Sequence, residues 1–453
     1  MTEGLLLGLD VGTTFAKAAV ITTDGVECGH GRSPTPWREV ATGAEMDPRQ
    51  LVEAVVTAAR EALGAGPEDR VLGVGVTGMA ETGALLDAEG RPVAPMIAWH
   101  DTRGGDEAAA LAAALGADRF VVRTGIPPTR LCTVSKYAWL RANHPEAKRG
   151  VRWLNVAEWV VRSLGGEEVA DLSLSSRTGF LDLAARRWWN DALAWAGAPS
   201  GFLPEPAEAG TPAGRVAGAL REAEGAVLTV GGHDHPCACI GAGATRKGDV
   251  FDSCGTAEAV VRPVDPPVDP EAIRRAAAGG VTVGWHAVPG QQALMAGFVS
   301  GMALQRFLDL LGVGPDGRAA LDGAAIEVPA GAEGVSVRDV TGDRSSLEGI
   351  PRWVSPGHVW RAALEAVARH AAEALATIES VAGPTRRLVV TGGWAQSPAV
   401  RVVKRDVLGP YDEPVVVEAG ARGAALQAGI AAGLYDGVHD LPAVRWRSPA
   451  ASG

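Results

Sequence analysis

Cysteine is scarce in this sequence, long apolar runs are missing, and positive charge is in the minority. The five cysteines (Cys28, Cys132, Cys237, Cys239 and Cys254) are scattered over 453 residues. A sparse, odd-numbered set makes no disulfide framework and reads as reduced intracellular thiols. Cys237 and Cys239 form a C-x-C, but no second pair stands at zinc spacing, so both read as small buried residues. No stretch approaches the roughly 18 to 20 apolar residues of a membrane helix. The opening segment carries Glu3, has no basic n-region, and its apolar run is too short for a signal peptide. A cytoplasmic location is expected. The net charge of −11 argues against nucleic acid or an anionic membrane as the main partner. It leaves small anionic ligands open, because a local site can be cationic or hold Mg²⁺ inside an acidic protein.

What remains is an ordinary globular composition, 47% hydrophobic and 21% charged. The length predicts two domains, divided near residue 247 into 1–247 and 248–453. The run LLLGLD, the turn VGTT and the run KAAVITTDG predict an opening β-hairpin. An amphipathic helix follows, with Asp47 as N-cap, Pro48 at the first position, and Leu51, Val55, Ala59 and Leu63 on one face. VLGVGVTG reads as a strand. It also spells G-x-G-x-x-G from Gly73 to Gly78. A dinucleotide site needs such glycines to open a helix after a strand. Here they alternate with Val74 and Val76 inside the strand, and no helix start follows.

The second half echoes the first. Phe251-Asp252-Ser253-Cys254-Gly255-Thr256 resembles Leu9-Asp10-Val11-Gly12-Thr13-Thr14, which suggests a duplicated architecture. RPVDPPVDP (262–270) reads as a surface loop. A long helix is expected from Pro356 to about Ser380 with Ser355 as N-cap. RLVVTGG is a buried-type strand, SPAVRVVKRDVLG a helix, PVVVEAG a further strand, and ARGAALQAGIAAGLY a final small-residue helix.

A turn of the form D-x-G-T has a physical use. Glycine lets backbone approach an anion, successive N–H groups form a phosphate nest, and threonine hydroxyls add donors. Two such turns facing each other would clamp a triphosphate. The late strand ending in Gly392-Gly393 suits an adenosine lying on bare backbone. The segment GGHDHPCACIGAGA places Asp234 between His233 and His235. Three readings are open there: a metal group, packing, or a working carboxylate. Consecutive His-Asp-His is not a usual metal spacing, because alternate side chains point apart on a strand or turn, and a structural zinc wants four ligands.

Several segments, in order and at family-like spacing, resemble the FGGY carbohydrate kinases of the actin-like ATPase superfamily. They are LGLDVGTTFAKAAVI, PMIAWHDTR, SKYAWLRANHPE, VADLSLSSRTGFLDL, GGHDHPCACIGAGA, DSCGTAEAV, and VVTGGWAQSPAVRVVKRDVLG followed by EAGARGAA. The resemblance implies an α/β protein of two actin-like (ribonuclease H-like) domains around a central ATP and sugar cleft. It implies phosphoryl transfer from ATP, with Mg²⁺, to a sugar or polyol hydroxyl. Asp234 matches the family's base. Free aspartate titrates near ~3.9, so it is ionised at neutral pH and able to accept the proton. Asp10 would organise Mg²⁺. Gly12, Thr13, Thr14, Gly255 and Thr256 would cradle phosphates, and Gly392 and Gly393 would face the adenosine. Lys17 stands where some members carry a basic residue near the phosphates; a solvated strand lysine is the alternative.

The acceptor side departs from the better-known subfamilies. Met79-Ala80-Glu81-Thr82 replaces the Gln-Arg-Glu-Thr of glycerol kinases and the Gln-Met-His-Gly of xylulokinases. Glu81 can accept two hydroxyl hydrogen bonds, which suits a polyol or ketose. Trp99 is expected to stack on a sugar face, with Asp101 and His235 as further contacts. His233 hints at deoxyketoses, because fuculose- and rhamnulose-type kinases carry histidine before the aspartate. The expected partner is a small sugar or polyol, not nucleic acid or a membrane, and a homodimer stays open. A catalytically silent ATP-binding sugar sensor is the competing class; such a protein would be expected to lose Asp234. At 453 residues the chain is compact for the family.

Overall fold

The computed structural model describes residues 4–342 and 344–447, so Glu3 lies outside the described residues. Each half carries a sheet built on the same plan. The first has six strands in the order Pro212–Arg215, Val227–His233, Val71–Gly78, Leu5–Val11, Phe15–Thr22, Glu27–Pro34. Leu5–Val11 pairs antiparallel with Phe15–Thr22 and parallel with Val71–Gly78. The second has five, in the order Thr282–Trp285, Gln292–Phe298, Glu258–Val264, Asp249–Cys254, Arg387–Thr391. Asp249–Cys254 pairs antiparallel with Glu258–Val264 and parallel with Arg387–Thr391. The echo in sequence is therefore an echo in topology. Each half opens on a hairpin turned at Gly-Thr and later adds a parallel strand beside its first.

Leu5–Val11 is buried on both faces except at Asp10, as its continuous apolar run requires of a covered central strand. One cover is the helix Pro48–Ala65. Asp47 caps it by accepting the Arg49 N–H, and Leu51, Val55 and Ala59 point inward. The long helix Pro356–Ala382 starts at a capping box between Ser355 and His358. No helix among the described residues is long and apolar enough to cross a membrane.

The glycines of the G-x-G-x-x-G string are a packing surface. Helix Ala419–Ala431 lies directly on their strand. A Cβ on Gly73 would come 2.7 Å from the Ala428 carbonyl oxygen, and one on Gly75 would come 1.9 Å from that of Ala424. On the neighbouring strand a Cβ at Gly8 would reach 1.7 Å from the Ala421 oxygen. Helix Asp234–Gly241 packs on the same helix, with Gly423 against Cys237 and Gly241 against Ala419.

Three expectations need correcting. Residue 247 does fall in the connection between helix Asp234–Gly241 and strand Asp249–Cys254. A single cut there nevertheless fails, because helix Ala419–Ala431 returns to the first sheet. PVVVEAG forms no strand: only isolated bridges at Asp412 and Pro414 occur there, and Val415 and Val417 face solvent. The Val415 N–H donates to the Arg445 carbonyl and that of Val417 to the Glu27 side chain, so no ladder forms and tertiary context overrides their β-propensity. RPVDPPVDP is only partly a loop, since Arg262–Val264 complete a strand and Pro270 begins a helix.

Backbone contact this close leaves no room for a methyl group. Gly8→Ala is expected to cost about 3 kcal/mol or more, read as a lower urea midpoint. Gly64→Ala, within a helix and on its open surface, is expected to raise the midpoint slightly, a gain of up to about 1 kcal/mol.

Candidate active site

Between the two sheets lies a cleft of about 1300 Å³. Both Gly-Thr hairpins reach into it, and the hydroxyls of Thr14 and Thr256 face each other at 3.4 Å. The turns are alike in detail. The Gly12 N–H donates to the Phe15 carbonyl at 3.2 Å, and the Gly255 N–H to that of Ala257 at 3.1 Å. Neither glycine N–H is thus free for an anion, contrary to a nest built on every amide of the turn. Among the described residues, the N–H groups of Thr13, Thr14 and Thr256 have no acceptor. The threonines are the donors, and the glycines give them room. The first turn is braced from outside. Thr35 Oγ1 donates to the Gly12 carbonyl at 2.8 Å, Trp37 Nε1 to the Thr13 carbonyl at 2.7 Å, and Trp99 Nε1 to Thr13 Oγ1 at 2.9 Å.

Gly392 and Gly393 close the far end of the cleft. Gly392 is obligatory: its φ is +104°, and a Cβ would come 2.4 Å from the Cys254 carbonyl oxygen. Nothing lies within 4 Å of a Cβ at Gly393, so its backbone is bare toward the cleft.

Asp234 opens helix Asp234–Gly241, at the helix's positive end. The two histidines do not point apart. Their rings sit 5.6 Å apart, edge to face, and both turn toward one carboxylate oxygen. His233 Nε2 is 3.1 Å and His235 Nε2 3.9 Å from Asp234 Oδ1, and the His235 N–H donates to that oxygen at 2.7 Å. The strand-to-helix junction breaks the alternation that a continuous strand would impose. Burial opposes ionisation of Asp234, but His235 and His233 outweigh it and hold the carboxyl well below the usual carboxylate range. Burial itself pushes the His235 imidazole down. His235 Nδ1 is 3.1 Å from Ser253 Oγ, which ties this group to the second hairpin.

Asp10 lies next to Asp234 and behaves oppositely. Burial first, then the Asp234 charge, push it up to about 7. Its Oδ1 is buried with no hydrogen-bond partner. Gly420 sits against Oδ2, where a Cβ would come within 2.5 Å. An orphaned carboxylate oxygen in a phosphate cleft suits a hard divalent cation such as Mg²⁺. Lys17 is not a solvated strand lysine; it lines the cleft and pairs with Glu418 at 2.7 Å.

Met79, Ala80, Glu81, Trp99 and His235 all line the cleft. Glu81 has φ +60°, an uncommon conformation for a side-chain-bearing residue. Lys136, buried and pushed down to about 8 by burial, holds it there by donating to the carbonyls of Glu81 at 2.9 Å and Trp99 at 3.1 Å. Asp101 must be removed from this group. It is fully buried, its carboxylate spent on the Arg103 guanidinium and the Ala44 N–H. Arg177, Glu418 and Ser253 were not singled out from sequence. Arg177 donates to Glu81 Oε1 at 2.7 Å and Thr282 Oγ1 at 2.9 Å. An arginine amid the small and hydroxyl residues of SLSSRTG was the available signal. The second-half counterpart of Asp10 has no such role. Asp252, Cys254 and Glu258 cluster closely enough for a metal, but the Lys404 ammonium is bonded to both carboxylates.

Two facing hairpins of hydroxyl donors, a charged carboxylate at a helix start and a divided α/β scaffold define a two-domain, actin-like phosphotransferase. The model for the FGGY family of carbohydrate kinases, N-terminal domain, matches residues 5–241, and that for the C-terminal domain matches 328–432. The chain belongs to the FGGY family of carbohydrate kinases. It is 29% identical to the glycerol kinase of Aromatoleum aromaticum, over 98% of this chain and 93% of that protein. It is also 29% identical to the xylulose kinase of Streptomyces coelicolor, over 98% and 91%. Among solved structures, the xylulose kinase of Rhodospirillum rubrum superposes with a TM-score of 0.86 at 28% identity, covering 98% of this chain and 93% of that one. The protein is thus a carbohydrate kinase, phosphorylating a sugar or polyol at the expense of ATP.

Asp10 sets a pH signature. Its folded pKa of about 7 lies above the ordinary aspartate value of 3.8, so the folded state binds its proton more tightly. Its share of stability is full below the unfolded value and is lost as pH rises through about 7. Without nucleotide or Mg²⁺, Asp10→Asn is expected to melt above the parent at pH 8 and to lose that advantage at pH 4. Glu158 and Glu258, raised with the same sign, are common to both proteins and cancel in the difference.

Proposed function

We propose that the chain transfers the γ-phosphoryl group of ATP to a hydroxyl of a ketose of the pentulose or deoxyhexulose class, with Asp234 accepting the proton. The position of Asp234 carries this reading: an ionised carboxylate at a helix start, in the cleft shared by both Gly-Thr hairpins. In the transfer, the acceptor oxygen bonds to the γ-phosphorus as the bond to the β–γ bridging oxygen breaks. ADP departs, and the hydroxyl proton passes to Asp234 Oδ2, the oxygen not facing the histidines. A carboxyl held this low does not deprotonate a free alcohol beforehand. It orients the hydroxyl and takes the proton as the new bond forms, as a loose transition state allows.

Thr13, Thr14 and Thr256 would hold the phosphates, with Gly12 and Gly255 shaping their turns and Lys17 adding charge from beside Glu418. Gly392 and Gly393 would face the adenosine. Asp10 would hold Mg²⁺, which supplies neutralising charge to the phosphate oxygens. Met79 and Ala80 form an apolar floor for the sugar. Glu81 Oε2, Trp99 and His235 would contact it. Arg177 occupies Glu81 Oε1, so Glu81 offers an acceptor hydroxyl one oxygen rather than two. The relatives named xylulose kinase and glycerol kinase support a ketose or polyol acceptor. The imidazoles beside Asp234 favour the deoxyketose side.

The test is ADP release over a panel of about thirty polyols, pentuloses and hexuloses. A pentulose or deoxyhexulose is expected to give the highest kcat/KM. On it, Asp234→Asn is expected to lower kcat by about 10²- to 10⁴-fold with ADP affinity retained. Full turnover by that variant rules out the base, and a polyol at the head of the panel rules out the ketose.

A further inference from the structure

The segment that presents Asp234 is held by a buried polar chain that the transfer itself does not use. Asp171 caps the short helix Leu172–Ser175, accepting the Leu174 N–H at 2.9 Å. The same oxygen, Oδ1, accepts the Ser173 hydroxyl proton. Ser173 Oγ in turn accepts the His233 N–H at 2.8 Å. One residue earlier, Thr77 Oγ1 donates to the Gly232 carbonyl at 2.6 Å. Gly232 has φ +96°, and a Cβ there would come 2.7 Å from Ser173 Oγ. Asp171 is itself fixed from behind, its N–H donating to Glu158 Oε1 at 2.9 Å. Asp171, Ser173, Thr77 and Glu158 are all buried, and none lines the cleft. They grip both sides of the peptide between Gly232 and His233, immediately before the aspartate.

We infer that Ser173, oriented by Asp171, is a positioning residue that sets the angle at which the Gly232–His233 peptide delivers Asp234 to the acceptor hydroxyl. Ser173 has one proton and gives it to Asp171, so its oxygen is obliged to face the His233 N–H. Asp171 needs only an acceptor oxygen for this, not a charge. Removing the Ser173 hydroxyl strands the His233 N–H in a buried site, and the peptide turns to find another partner. A displacement of about 1 Å at the reacting group is worth up to ~10²-fold in rate. The threonine turns and Gly392-Gly393 proposed for the nucleotide lie on other elements.

This inference rests on Asp234 as the base, and the experiment separates the two. Ser173→Ala, Asp171→Asn, Asp171→Ala, Thr77→Val and Asp234→Asn are assayed on the best substrate, with calorimetric ADP binding on each. Ser173→Ala and Asp171→Ala are expected to lower kcat by about 10- to 100-fold. Their ADP stoichiometry stays near one per chain, and ADP affinity and the KM for ATP stay within about twofold of the parent. Asp171→Asn keeps an acceptor oxygen for Ser173 and is expected to retain at least half of kcat. A merely structural role would lower ADP stoichiometry in proportion to activity and give no rescue by asparagine. Either result overturns the inference, as does a Ser173→Ala enzyme within twofold of the parent. If Ser173→Ala does not fold, Thr77→Val carries the test: a loss of kcat of about tenfold or more at full ADP stoichiometry supports the inference, and a smaller loss overturns it. If Asp234→Asn is inactive while Ser173→Ala is not, positioning alone fails; if Asp234→Asn is active, the base assignment fails with it.

Discussion

Backbone touching backbone along one small-residue helix is the constraint on which the cleft depends. Helix Ala419–Ala431 meets Gly8, Gly73 and Gly75 on the first sheet and Cys237 and Gly241 on the helix that begins with Asp234. Each contact needs a missing Cβ on one side or the other. Close approach replaces side-chain interdigitation there, leaving no slack between the strand that carries Asp10 and the helix that carries Asp234. Helix Asp234–Gly241 also packs through Ala238 and Cys239 on the second hairpin, against Phe251, Ala259 and Val261. It is therefore clasped by both halves.

The duplicated plan has been put to unequal use. Both hairpins keep the internal glycine bond and the exposed threonine hydroxyl. Their aspartates part ways. Asp10 stays in the cleft with an unpartnered oxygen, whereas Asp252 is withdrawn into an ion cluster with Lys404 and Glu258. A cation has one side of the cleft on which to settle. The second half contributes hydroxyls, bare glycine backbone and, through Ser253, a hand on His235.

Much of this was legible in the sequence, because the features involved are local. Two Gly-Thr turns after apolar runs, an N-cap aspartate before Pro48 and a Gly-Gly after a buried strand each carry their geometry in a few consecutive residues. The G-x-G-x-x-G string could be set aside because its glycines alternate with valines, but the helix they accommodate lies some 350 residues away in sequence, and no local pattern points to it. Asp101 was misjudged for a similar reason. Beside Trp99 it has the look of a ligand contact, and only the fold shows Arg103 curling back over it with Glu45 behind. The convergence of His233 and His235 on one oxygen depends on where the strand stops. A one-residue shift of that boundary would have turned one ring away. Arg177 and Glu418 were hidden because each matters through a partner distant in the chain.

Glu418 and Gly420 make the cleft depend on chain segments far apart in sequence. They sit beside Lys17 and Asp10 of the first hairpin, and the Lys17–Glu418 pair spans 401 residues of chain. Without that segment Lys17 lacks its counter-charge and the glycine-lined face of the first sheet has no cover. A fragment that stops short of Glu418 holds both hairpins and Asp234 and still lacks one wall of the cleft.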